Sequence, residues 1–147
     1  MENRPIMITH RRVRPLILLV IILAMAGVLQ AHQGKGRPSI VLRANPAVAF
    51  APARIVVTAE LTGGADDYQD FYCAKVEWTW DDDTTSEAQD DCDPYEAGKS
   101  RIRRRYTSEH KFELPGQYDV RLTLRQGKKA VGSGTVTVRV RDAEIAR

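Results

Sequence analysis

From residue 39 onward, apolar residues recur at every second position. "ARIVVTAEL" sets Ile55, Val57 and Ala59 against Arg54, Val56, Thr58 and Glu60. "CAKVEWTW" sets Ala74, Val76, Trp78 and Trp80 against Lys75, Glu77 and Thr79. In "QYDVRLTLRQ", Tyr118, Val120, Leu122 and Leu124 oppose Asp119, Arg121 and Thr123, and "KAVGSGTVTVRVR" closes with Val136, Val138 and Val140 on one side. "SIVLRANP" is a shorter first strand stopped at Asn45-Pro46, and "SRIRRRYTSEHKFEL" carries one or two more. Side chains alternate faces along a strand, so this period of two predicts strands with one apolar face. Turn residues separate them: "TGGADDYQD", Pro115-Gly116 and Gln126-Gly127-Lys128.

No stretch beyond residue 31 keeps a helical period. Short alternating strands at this spacing, over about a hundred residues, predict an all-β, immunoglobulin-like sandwich of about seven antiparallel strands. Each sheet would bury one face and wet the other.

The N-terminus breaks the pattern. "LILLVIILAMAGVL", residues 16–29, is an unbroken apolar run of 14 residues behind a basic stretch. That is short of the roughly 20 residues a membrane span needs and suits the apolar core of a signal peptide. Ala31, with Leu29 two before it, and Ala24-Met25-Ala26 offer small residues for cleavage. Residues 1–31 are therefore expected to be a signal peptide or an N-terminal hydrophobic anchor helix. Residues 32–38 would be a linker, 39–142 the sandwich and 143–147 a tail. Either leader places the domain outside the cytoplasm: secreted, periplasmic or at the cell surface.

Charge follows the same division. Residues 1–31 hold four arginines and one glutamate, a net of +3, and this equals the net charge of the whole chain. The remainder is neutral, so no global field favours a nucleic acid. Within it, residues 60–96 carry 13 acids against Lys75 alone, and residues 97–147 sum to +8. That polarity could steer a charged partner or drive self-association. It could also be neutralised within the domain.

Two cysteines, Cys73 and Cys92, lie in the exported part. In an oxidising compartment such a pair reads as a structural disulfide. Two cysteines and few histidines are too few for a zinc site, and no base adjoins either thiol.

Two stretches resemble a known family. "EWTWDDDTTS" is similar to the WDFGDGTTS signature of PKD domains (polycystic kidney disease repeats). Trp78 and Asp82 fall on signature positions, and Asp81 and Asp83 stand where the family has glycine. Aspartate tolerates the left-handed backbone that such turn positions need better than most residues do. "HKFELPGQYDVRLTL" resembles the family's HxYxxPGxYxVxLxV pattern, through His110, Pro115, Gly116 and Tyr118. The resemblance covers about residues 39–141. It implies a PKD-like sandwich in which Trp78, Asp82, His110, Pro115, Gly116 and Tyr118 are structural. It also implies a non-catalytic binding or spacer module at the cell envelope, contacting a protein or a polysaccharide.

Three groups remain as candidate chemistry. Asp81, Asp82, Asp83, Asp90 and Asp91 could supply oxygen to calcium. Counted from Asp81 as an EF-hand, however, the sixth position is Ser86 and the twelfth is Cys92, so that pattern fails. Paired carboxylates also serve glycoside hydrolysis, but a lone sandwich offers little cleft, and no enzymatic activity is expected. Trp80, if it reached the surface, could stack on a sugar or a partner. Arg101, Arg103 and Arg105 share one strand parity and form a second candidate contact surface. Finally, cleavage after Ala31 would expose His32 as an N-terminal histidine, which with His110 could hold copper. The expectations are thus a binding or adhesion module, a structural subunit of an extracellular assembly, or a calcium- or copper-binding accessory of polysaccharide degradation.

Overall fold

The computed structural model describes residues 36–143; the leader, its cleavage sites and His32 lie outside them. Eight strands follow in order: β1 (Ser39–Asn45), β2 (Val48–Phe50), β3 (Ala53–Thr62), β4 (Lys75–Thr79), β5 (Thr85–Ala88), β6 (Arg105–Phe112), β7 (Gly116–Gln126) and β8 (Lys129–Arg141). They form a three-stranded sheet, β1-β3-β6, and a five-stranded sheet, β2-β8-β7-β4-β5. All neighbours are antiparallel except β2, which runs parallel to β8.

The predicted alternation sets the burial. Ile55, Val57 and Ala59 of β3 have no exposed surface, nor do Val120, Leu122 and Leu124 of β7. Each fully buried side chain of this size contributes roughly 1.5–3 kcal/mol. Two elements escape the pattern. β2 is only three residues, exposed at both ends, and β5 is exposed throughout. β5 occupies part of the acidic stretch expected to be loop. Conversely, residues 101–104 are not strand, and β6 begins at Arg105. The parity nonetheless holds, because Ile102 and Tyr106 are both buried.

β1 closes over β8 at the edge of the sandwich. A Cβ on Gly134 would meet Leu42 at 2.6 Å, and one on Gly132 would meet Ile40 and Phe71 at 2.9 Å. The two glycines of "VGSGT" are small so that a side chain of the opposite sheet can lie where their own would be. Without them the sheets could not approach here.

Cys73 and Cys92 are bonded, with their Cα atoms 6.1 Å apart. The bridge joins the segment before β4 to the long connection between β5 and β6.

Candidate functional site

The acidic turn after β4 is built inward. Trp78 is 4% exposed and Trp80 0%, so both rings belong to the core. They stack at 5.6 Å, and Trp80 stacks in turn on His110 at 4.5 Å. Phe112 meets the His110 ring edge-on at 4.8 Å and lies 4.3 Å from Tyr118. A file of aromatic rings therefore runs from β4 through β6 to β7. Its last member is tied off, because the Tyr118 hydroxyl donates to the Leu114 carbonyl at 2.8 Å. A tyrosine near the start of this strand, bonded back to the preceding corner, is a hallmark of immunoglobulin-type sandwiches. Gly116 makes room for it: a Cβ there would lie 3.1 Å from the Tyr118 ring.

Trp80 as a surface contact is therefore ruled out. Its indole N–H donates to Ser86 Oγ at 2.8 Å, which satisfies the one polar atom of the ring inside the fold.

The turn itself has the backbone that the family resemblance implies. Asp81 and Asp83 have φ of +63° and +64°. Asp82 between them is the anchor. Its Oδ1 accepts from the Thr84 amide at 3.2 Å and the Thr84 hydroxyl at 2.5 Å. Its Oδ2 lies 2.7 Å from His110 Nε2. Burial pushes the Asp82 carboxyl up, but the bonds from Thr84 and His110 outweigh that and hold it below its ordinary value. The Asp82–His110 contact ties the β4–β5 turn of one sheet to β6 of the other.

The five candidate calcium ligands do not converge. Asp81 Oδ2 accepts the Asp119 amide at 2.9 Å, Asp82 is held as above, and Asp90 pairs with Arg103 at 3.3 Å. Among the described residues no three His, Cys, Asp or Glu side chains are grouped to hold a metal ion. His110, the second copper candidate, already has its Nε2 on Asp82.

The arginine run is also engaged inside the domain. Arg101 pairs with Asp66 at 3.2 Å. Arg103, besides Asp90, covers the Tyr106 ring at 5.1 Å. Arg104 donates to Asp66 and to the Leu61 and Gly63 carbonyls, and Arg105 pairs with Glu60. The basic stretch neutralises acids 13 to 45 residues away in sequence. While so paired, the Arg101, Arg103 and Arg105 side chains remain 75%, 54% and 70% exposed.

The uncommitted groups lie elsewhere. On the outer face of the five-stranded sheet, Arg121, Arg139 and Arg141 are exposed, and their guanidinium groups have no partner among the described residues. Val48 and Phe50, 46% and 50% exposed, stand beside Arg139 and Arg141 in register. Asp119 lies among these arginines and accepts from Thr137 at 2.7 Å. Farther along the same face Arg125 grips Glu77 through two nitrogens. Single arginines at strand spacing make no sequence motif, so this cluster shows only once the pairings are known.

No protein-family model matches the chain, and no curated protein does. Two solved structures share its outline. One is the PKD domain of an M14-like peptidase from a Thermoplasmatales archaeon, 14% identical, covering 74% of this chain and 100% of that domain, with a TM-score of 0.49. The other is the CARDB domain of a Pyrococcus furiosus protein, described in complex with di-metal ions. It is 13% identical and covers 72% of this chain and 96% of that one, with a TM-score of 0.42. The strand order, the buried Trp78 and the Tyr118 corner make the chain an immunoglobulin-like β-sandwich on its own geometry, with a turn at Asp81–Asp83 that resembles the PKD signature. Among the described residues no helix is long and apolar enough to cross a membrane.

Proposed function

We propose that the chain is a non-catalytic, extracytoplasmic binding module that engages a protein partner at the cell envelope through the outer face of its five-stranded sheet. One observation carries this reading: Val48 and Phe50 are exposed beside Arg139 and Arg141, with Arg121 on the same face, and none of the three guanidinium groups has a partner among the described residues. Exposed apolar residues rimmed by polar ones mark contact surfaces, and aromatic and arginine side chains carry most of the energy at interfaces. The free charge is cationic, so a partner presenting carboxylates fits it. The disulfide supports an oxidising compartment. An assembly driven by end-to-end charge is less favoured, since the arginine run that would form its basic pole pairs internally.

A pull-down from the native envelope tests this. The parent protein should capture a partner, and the capture should weaken with salt. Arg139→Glu with Arg141→Glu should abolish it while leaving the thermal transition in place. Equal capture by both proteins would defeat the assignment of this face. Sustained turnover of polysaccharide or peptide by the purified domain would defeat the non-catalytic reading.

A further inference from the structure

At the end of β7 away from Gly116, Cys73 and Cys92 help to line a cleft of about 520 Å³. This lies within the roughly 300–1,000 Å³ of small-ligand sites. Its walls come from three separate segments: the 3-10 turn Gln69–Phe71, the connection after β5, and the end of β7. Two tyrosines line it, Tyr72 and Tyr95, with ring centres 5.6 Å apart and planes at 61°. Both rings are tied through their hydroxyls. Tyr72 donates its hydroxyl to the Asp93 carbonyl at 3.0 Å, and Tyr95 donates to the Asp67 carbonyl at 2.7 Å. Gln126 closes the frame by donating to the Tyr72 carbonyl at 2.6 Å.

The remaining polar groups of the lining have a different status. The Gln69 and Gln89 amides and the Asp70 and Asp93 carboxylates have no side-chain partner among the described residues. The cleft therefore combines fixed aromatic surface with donors and acceptors that nothing in the fold uses. No lysine or arginine lines it.

We propose that this cleft is a binding site for an uncharged oligosaccharide. A sugar ring offers an apolar C–H face and a rim of hydroxyls that both donate and accept. The tyrosine rings suit the face. The two amides and two carboxylates suit the rim, since carboxylates accept only and amides do both. A uronic acid or a phosphorylated sugar would bring an anion to two carboxylates with no cation to offset them. The rigid frame lowers the ordering cost of binding, which matters where each contact is weak. The site goes beyond the sheet-face reading and shares no residue with it.

Nuclear magnetic resonance titration of the 15N-labelled domain tests it, with cellotetraose, N-acetylchitotetraose and trigalacturonate as probes. At least one of the two neutral probes should shift the Gln69 and Gln89 side-chain amides, saturating near ~1 mM, equivalent to about −4 kcal/mol. The double variant Gln89→Ala/Asp93→Asn, at exposed positions, should keep the parent spectrum elsewhere and bind at least tenfold more weakly. The domain carrying Arg139→Glu and Arg141→Glu should bind sugar as the parent does, so the two readings fail separately. The proposal is overturned if neither neutral probe shifts these amides at 20-fold higher concentration. It is equally overturned if trigalacturonate binds best or if the double variant binds unchanged.

Discussion

Removing the Asp82 carboxylate is the sharpest test of how the turn is held. Asp82→Ala deletes two bonds from Thr84 and one contact with His110. Hydrogen bonds to a charged group are worth about 1.5–3 kcal/mol when removal strands a buried partner. Thr84 is exposed, so water replaces most of what it loses. The side chains of His110 and Asp82 are only 18% and 23% exposed, so that contact keeps most of its value. The expected cost is about 2–3 kcal/mol, or roughly 10 °C in Tm for a domain of about a hundred residues. Asp82→Asn, which still accepts from the Thr84 amide, should cost about 1 kcal/mol. Urea unfolding followed by tryptophan fluorescence measures both, because Trp80 stacks on His110 beside the perturbed group. A double-mutant cycle of Asp82→Asn with His110→Gln should give a coupling of about 1 kcal/mol.

Acid supplies an independent check. The folded Asp82 carboxyl sits below its ordinary value. A group lowered on folding stabilises fully above its unfolded value, near 3.9, and loses that contribution as pH falls through the folded value. Glu77 behaves alike, its carboxyl lowered mainly by the hydrogen bond from Arg125, with burial opposing. The parent should therefore weaken below about pH 4, and Asp82→Asn should have a shallower acid limb. Stability of Asp82→Ala within about 0.5 kcal/mol of the parent, the scatter of ordinary surface changes, would refute the anchoring role.

Two further outcomes follow from the same geometry. Replacing Cys73 and Cys92 together by alanine opens a bridge of sequence separation 19 and should cost about 3 kcal/mol in the chain-entropy view, read as an earlier urea midpoint; an unchanged midpoint would mean that the connection is held by its other contacts. Asp83→Gly should stabilise by about 0.5 kcal/mol, because its positive φ suits glycine and its side chain has no partner among the described residues, whereas Asp81→Gly should bring no gain, because it gives up the bond to the Asp119 amide; equal Tm shifts would contradict this account.

The long strands were legible because each carries one buried face. β3, β7 and β8 announce themselves through Ile55, Val57, Val120, Leu122, Val138 and Val140. β2 and β5 were not legible, for a physical reason. An edge strand of three or four residues with no side chain fully in the core leaves no period to read. The disulfide could be read from a count of two. The glycine-replacing aspartates could be read from the PKD signature, and the structure places both at positive φ. Trp80 was read correctly by parity; only its suggested exposure was wrong, because the turn folds back and brings Ser86 over its indole nitrogen.

The charged residues show where a linear reading runs out. An arginine run looks like a surface for partners because its density is visible in sequence. Its acids are not, since Glu60 stands opposite Arg105 on the neighbouring strand β3 and Asp66 lies in the connection after it, 45 and 38 residues away in sequence. A polar group already bonded inside the fold has little left for a ligand, so density is the wrong signal and unmet bonding capacity is the better one. Removing every carboxylate and guanidinium that has an internal partner among the described residues leaves, besides the scattered Arg43, Asp83 and Asp91, two sets of opposite character. Arg121, Arg139 and Arg141 remain on the sheet face; Asp70 and Asp93 remain with two amides in the cleft. Gln117, paired with Arg139, and Gln126, on the cleft, stand nine residues apart along β7, or roughly 30 Å at strand rise. One small ligand cannot reach both. A module with a cationic, partly apolar face at one end and a neutral-sugar cleft at the other would hold two partners at once, and the acidic turn that follows Trp80 serves to keep that frame rigid.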